Sequence, residues 1–314
     1  MAGRRLAAIA VFLCFCMLLN PCCVSAASTD EAVEPIDVNK ECKLDISCCY
    51  EETAFSGVSV KLYKVADISA DFQYTLSSSF SSYDVVINGI KTNDEWKEIC
   101  STLETYIIAD GLKEDHSSVT DGFGRVVFEF LETGLYMAMI ENAEQDDLKC
   151  HFGSSLIALP GLNEGVWQYD VSVKAKPQIL PPSTEQEIEY SVIKLWKEDN
   201  GGINRPKSIE VEIFREGISF ETVTLSEENK WSYSWPAKDD GARWNVIERN
   251  VPSGYTMTVV KRDTCFVLTN TIESDSPDTP QTGDSSNVLV YILLMNVSGI
   301  VLIIIGKTEK RKRL

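Results

Sequence analysis

The sequence predicts an all-β protein of two Ig-like β-sandwich domains, the first with an inserted helix. Three observations carry this. Short apolar or alternating runs recur between Cys42 and Ile272, each closed by Gly-, Asp- or Asn-bearing turns, the pattern of antiparallel sandwiches. A Pro-rich stretch, KPQILPPSTEQE (Lys176–Glu187), divides them into units of roughly 135 and 85 residues, ordinary domain sizes. One segment, Thr92–Asp110, changes to a helical period.

In chain order, Arg4 and Arg5 precede the apolar stretch Leu6–Leu19 and a small-residue site at Val24–Ser25–Ala26. Residues 1–26 therefore read as a secretory signal peptide, cleaved after Ala26. Cys22 suggests lipoprotein processing, which Asn20 and Pro21 fit poorly. Residues 27–39 are small, acidic and Pro-containing and read as a disordered leader. The first domain, 40–176, has strand patterns at Lys43–Cys49, Val58–Val65, Arg125–Phe130, Leu135–Ile140, Ser155–Leu159 and Trp167–Val173. Its helix places Trp96, Ile99, Leu103 and Ile107 on one stripe, with Thr92 or Asn93 capping the start and Gly111 the end. A semi-rigid linker follows at 177–187. The second domain, 188–273, has turns at Asp199–Gly202, Glu216–Gly217, Asp239–Gly241 and Pro252–Gly254. A polar stalk (274–287) carries the motif TPQTG, followed by a transmembrane helix (288–306) and a basic cytoplasmic tail (307–314).

The chain has a net charge of −18. Removing Arg4 and Arg5 at one end, and five cations with Asp284 and Glu309 at the other, leaves 22 basic against 45 acidic residues, a balance of −23. Such a surface repels nucleic acid. Four of the ten cysteines fall in the signal peptide; Cys42, Cys48, Cys49, Cys100, Cys150 and Cys265 remain. An exported chain permits disulfides, and six cysteines leave 15 connectivities open. No CxxC pair of pairs suggests zinc.

The tail has a fixed order: Thr279, Pro280, Gln281, Thr282 and Gly283, then an uncharged run (Val288–Ile305), then Lys307, Lys310, Arg311, Lys312 and Arg313. Eighteen residues at about 1.5 Å each span roughly 27 Å, close to a bilayer core. The cations stay cytoplasmic, so TPQTG halts just outside the membrane. This order resembles the sorting signal of Gram-positive surface proteins cut by sortase, with Thr279 where the family usually has leucine. The resemblance implies transfer of the Thr282 carboxyl to peptidoglycan or to another subunit. The hydrophobic run alone also fits a plain membrane anchor.

The sharpest chemical signal lies in the second domain. Strand side chains alternate between faces. Lys194 shares a face with Ile188, Tyr190, Val192 and Trp196; Glu248 with Trp244 and Val246; Asn270 with Phe266, Leu268 and Ile272. A lone buried charge is very costly, so three polar residues on three apolar faces are expected to meet. The unit SVIKLWKEDNGGINRPKSIEVEIF, with LSEENKWSYSW, WNVIERNVPSGY and FVLTNTI, resembles a collagen-adhesin B-type (Cna-B) domain over Tyr190–Ile272. Several such domains form an autocatalytic Lys–Asn isopeptide bond, and the matching positions are Lys194, Asn270 and, as the acid, Glu248. Burial disfavours charged side chains. A neutral Lys194 then attacks the Asn270 side-chain carbonyl, while a protonated Glu248 polarises its oxygen and shuttles protons as ammonia leaves. The other reading of the same residues is an ion pair with Asn270 as a hydrogen-bond partner.

In the first domain, GVSVKLYKVADIS, TGLYMAMIE and WQYDVSVKAK resemble the N-terminal domain of sortase-assembled pilins, some of which have a prealbumin-like sandwich. Trp167, Val171, Val173 and Lys176 keep the spacing of the pilin motif, whereas Lys174 and Ala175 replace its Tyr-Pro. The resemblance makes Lys176 an acceptor lysine, required to be exposed, for the Thr282 of the next subunit. A solvated strand-end cation is the plainer reading. Glu141 sits roughly where a catalytic acid could stand, but no buried Asn accompanies it and no site is assigned there.

Enzyme activity on another molecule finds little support. His116 and His151 stand in no triad or metal spacing, no Gly-rich phosphate loop exists, and no cofactor is called for. Asp199–Asn200 suits a turn better than a calcium loop. The expected function is a cell-surface structural protein, either a polymerised pilin subunit or a monomeric wall-anchored adhesin. Its partners are sortase, peptidoglycan, further subunits and a host or matrix ligand.

Overall fold

The computed structural model describes residues 34–180, 186–197 and 205–272. The signal peptide, the TPQTG motif, the apolar run 288–306 and the basic tail lie outside the described residues. Among the described residues no helix is long and apolar enough to cross a membrane.

The first unit begins with β1 (Cys42–Ser47), β2 (Cys49–Tyr50), β3 (Thr53–Ala54), β4 (Ser59–Ile68) and β5 (Tyr74–Leu76). The helix α1 (Asn93–Asp110) follows, then β6 (His116–Val119), β7 (Arg125–Leu131), β8 (Gly134–Ile140), β9 (Ala143–Gln145) and β10 (Leu148–Phe152). The unit closes with β11 (Ser155–Leu159), β12 (Gly161–Asn163), β13 (Val166–Gln168), β14 (Asp170–Lys174) and β15 (Pro177–Ile179). Its main sheets run β14-β1-β7 and β11-β8-β4-β5, with β6 also on β4. Alternation decides the facing: β1 reads buried at Cys42, Leu44 and Ile46 and half-exposed between them. Those residues share a core with Val60, Leu62, Tyr136 and Phe152.

Helix α1 follows its sequence signals. Thr92 accepts from the Glu95 amide at 3.2 Å and the Glu95 carboxylate accepts from the Thr92 amide at 2.8 Å, a reciprocal capping box. Gly111 ends the helix at φ 59°, its N–H donating to the Ile107 carbonyl. Ile99, Leu103 and Ile107 enter a second core with Tyr63, Val65, Phe80 and Met137.

The structure differs from expectation at three places. Residues 34–39 are not a loose leader: Ile36 is buried, its amide donates to the Ala70 carbonyl, and the Trp167 indole donates to the Glu34 carbonyl. One apolar side chain with a place in the core outweighs a polar composition. The linker expected from 177 starts later, because Pro177–Ile179 pair antiparallel with β10 and Ile179 packs on the first core. The Trp167–Val173 pattern divides into β13, hairpinned to β12, and β14, which runs parallel to β1.

The second unit contains β16 (Glu187–Lys197), β17 (Ser208–Arg215), β18 (Ile218–Ser226), β19 (Ser232–Lys238), β20 (Trp244–Arg249), β21 (Tyr255–Arg262) and β22 (Cys265–Ile272). Two sheets, β19-β16-β22-β21 and β18-β17-β20, face one another around Val192, Val211, Ile213, Trp235, Val246 and Leu268. The first and last strands, β16 and β22, are parallel neighbours. Glu216 and Gly217 both have positive φ, the geometry of a two-residue hairpin turn between β17 and β18.

The two units pack through α1. Its second face carries Thr102 and Tyr106 against the second unit, where the Val259 amide donates to Thr102 Oγ at 3.0 Å and Tyr106 joins the core. Arg249 donates to Asp110 at 2.9 Å and to the Ala109 carbonyl at 3.2 Å. Arg243 donates to the Ile140 carbonyl at 3.0 Å and to Asn142 at 3.2 Å, and lies 3.0 Å from His151 Nδ1.

Candidate functional site

Three strands bring Lys194, Glu248 and Asn270 together. Lys194 leaves β16 toward the interior between Val192 and Trp196, and Asn270 leaves β22 on the same side. Trp196 stands opposite Asn270 in the parallel register and Lys194 opposite Leu268, which makes Lys194 and Asn270 diagonal neighbours on one face. Glu248 comes from β20 in the facing sheet. Lys194 Nζ lies 2.6 Å from Glu248 Oε2, and Asn270 Nδ2 donates to Glu248 Oε1 at 3.1 Å. Lys194 is 3%, Glu248 2% and Asn270 0% exposed.

The surroundings set the chemistry. Burial pulls the Lys194 amine down to about 8, against the opposing pull of Glu248. The Trp196 ring lies 4.8 Å from Nζ. A Lys⁺–Glu⁻ pair and its neutral counterpart differ only by a proton moved across the 2.6 Å contact. Asn270 Oδ1 is buried with no hydrogen-bond partner, a costly state for a carbonyl of about 1–3 kcal/mol. Rotating the amide by half a turn exchanges its oxygen and nitrogen and sets the oxygen against Glu248. The three groups thus place an amine, a carboxyl group and a carboxamide side by side and buried. Among the described residues no group of three or more His, Cys, Asp or Glu is placed to hold a metal ion.

The other expected residues are separate from this site. Lys176 is exposed just beyond the edge strand β14, while Ala175 beside it is buried. Glu141 is exposed and pairs with Lys61 at 3.4 Å. Asp170 is exposed. Thr279, Pro280, Gln281, Thr282 and Gly283 lie outside the described residues, as do Asp199 and Asn200. All six cysteines of the described residues are free thiols. Burial pushes Cys42 up to about 11 and Cys48 and Cys100 up to about 12.

Sequence reasoning missed the wall of the site contributed by the first unit. Tyr106 stacks on Tyr83 with ring centroids 4.1 Å apart, and both line a cavity of about 200 Å³ with Glu248, Arg249 and Met257. No local pattern announces this contact, since it joins residues more than a hundred positions apart.

A two-sheet sandwich whose terminal strands are parallel neighbours, with a buried Lys–Glu–Asn set between them, is a distinct class of domain. Residues 190–271 match the family model of the Cna protein B-type domain. The collagen adhesin of Staphylococcus aureus is 30% identical over 105 residues, which is 31% of this chain and 9% of that protein. Among solved structures, a single B repeat unit of the collagen-binding surface protein of S. aureus is 15% identical, covering 75% of this chain and 99% of that one at a TM-score of 0.25. The full-length major pilin SpaD of Corynebacterium diphtheriae is 11% identical, with coverages of 76% and 99% and a TM-score of 0.30.

Proposed function

We propose that this is a cell-surface structural protein whose second unit crosslinks itself through Lys194 and Asn270. The observation that carries the reading is the solvent-free chain of contacts from Lys194 through Glu248 to Asn270. In the step, the Lys194 Nζ–Asn270 Cγ bond forms and the Asn270 Cγ–Nδ2 bond breaks. Glu248 passes one proton from Nζ to the departing nitrogen, and ammonia leaves. Nothing is oxidised or reduced, and the reaction happens once per chain. The bond ties β16 to β22, the strands at which tension enters and leaves the domain.

The same reading makes the protein an exported sortase substrate, joined at Thr282 to peptidoglycan or to a neighbouring subunit. The exposure of Lys176 at the end of β14 favours a role as acceptor in a fibre. A matrix ligand is a further partner, by analogy with the adhesin relative. The test is a protease digest of the purified chain. A single species containing both the Lys194 and the Asn270 peptides is expected; recovery of the two peptides only as separate species overturns the crosslink.

A further inference from the structure

The second unit does not close its own reaction site. Strands β20 and β21 are the edges of its two sheets, and α1 of the first unit lies against both. The open seam between the sheets is therefore covered by a helix from another part of the chain. Tyr106 is the residue at that seam. It is 8% exposed and packs in the core of the second unit with Val246 and Met257. Met257 stands directly opposite Asn270 in the antiparallel register.

One face of the ring is held by a neighbour that is itself anchored. Tyr83 stacks on it, the Tyr83 hydroxyl donates to Asp110 at 2.7 Å, and Asp110 accepts from Arg249 at 2.9 Å. The cavity between these residues reaches Glu248 and has a volume of about 200 Å³, room for several small molecules at about 30 Å³ each. It is the space next to the triad into which ammonia could depart and through which water could enter.

We propose that Tyr106 is a positioning residue for the crosslink of the second unit, sealing the seam beside Glu248 and Asn270 and keeping water from Lys194. The proposal rests on the Lys194–Asn270 reading given above. Lys194 reacts only as the free amine, and its amine is favoured by dryness. The charged group that faces Lys194 is Glu248 from β20; Tyr83, Asp84, Asp110 and Arg249 line the cavity beside Glu248, and Arg205 lies on the Trp196 ring. Removing the Tyr106 ring adds water without changing any of these charges. The first unit then acts as an accessory to the maturation of the second.

The experiment uses the whole chain made by cell-free translation, with the fall of intact mass followed in time across a pH series. The variants are Tyr106→Phe, Tyr106→Ala and Tyr106→Leu. Tyr106→Phe is expected to match the parent chain. Tyr106→Ala is expected to crosslink about tenfold more slowly at pH 7 and to move the rate–pH midpoint up by about one unit, because one unit leaves tenfold less neutral amine. Tyr106→Leu, which keeps an apolar side chain on the helix, is expected to shift in the same direction and serves if the alanine variant does not fold. Parent-like rates in both variants overturn the proposal, as does a slower rate with an unmoved midpoint. A parent chain that never loses ammonia overturns the crosslink reading itself, so the two failures are distinguishable.

Discussion

Lys194 and Glu248 stand 2.6 Å apart with neither side chain exposed to solvent. A buried pair of this kind gives little net stability, since desolvation offsets its attraction. The pair lies beside an amide whose oxygen has no partner, and in the proposed reaction it supplies the proton that moves.

The proposed crosslink would close a loop of 77 residues, Lys194 to Asn270 inclusive. By the loop-closure argument for disulfides it contributes about 4–5 kcal/mol. Asn270→Ala removes the bond and leaves the Lys194–Glu248 pair intact. Its thermal midpoint is expected to fall by at least about 15 °C, at about 4–8 °C per kcal/mol for a domain of this size. A calorimetric shift of only a few degrees would mean that no bond was lost.

In that uncrosslinked variant stability acquires a pH dependence. Lys194 lies at about 8 in the folded chain against an ordinary 10.5. Between these values the unfolded chain binds the proton and the folded chain does not, so stability rises with pH. The burial penalty is full below pH 8 and gone above 10.5, a gain of about 3 kcal/mol at 1.36 kcal/mol per unit. Denaturant titrations at pH 7.5 and 10.5 measure it. A flat or falling profile contradicts the assignment.

The contact between the units carries its own titration. Burial, with Arg243 and Lys261 nearby, holds His151 down at about 4. Separated from the interface it would titrate near 6.5. Docking is therefore full above pH 6.5 and weakens as pH falls toward 4, where His151 must gain charge beside Arg243. Small-angle scattering is expected to show a larger radius of gyration at pH 4.5 than at pH 7.5. An unchanged radius at both would show that His151 does not govern the contact.

Lys176 gives a prediction in cells that carry the partner sortase. Wall extracts are expected to show a high-mass ladder on denaturing gels, and Lys176→Ala to collapse it to single subunits. A ladder that survives the substitution assigns the acceptor role elsewhere. Absence of a ladder from the parent chain favours the monomeric wall-anchored form.

What the sequence revealed follows from the range of each interaction. The triad was legible because side-chain alternation is local: one polar residue on an otherwise apolar strand face shows within nine positions around Lys194. Helix α1 was equally legible through its stripe, the cap at Thr92 or Asn93, and Gly111. Its second face was not. Thr102 and Thr105 look like solvent-facing residues, yet both are buried, their hydroxyls donating to the carbonyls of Glu98 at 2.7 Å and Ser101 at 2.9 Å. This back-bonding lets a polar residue enter an apolar contact, and periodicity cannot reveal it. Ile36 was missed for the opposite reason, one apolar side chain being too few to make a pattern.

A covalent Lys194–Asn270 unit is lighter than the unlinked chain by one ammonia. The most direct test of the crosslink is the intact mass of the purified chain, fully reduced so that cysteine oxidation cannot contribute. A mass about 17 Da below that of the processed sequence is expected, one ammonia lost, with Lys194→Ala and Asn270→Ala each at the full mass of its own sequence. A parent chain at its full sequence mass would contradict the crosslink.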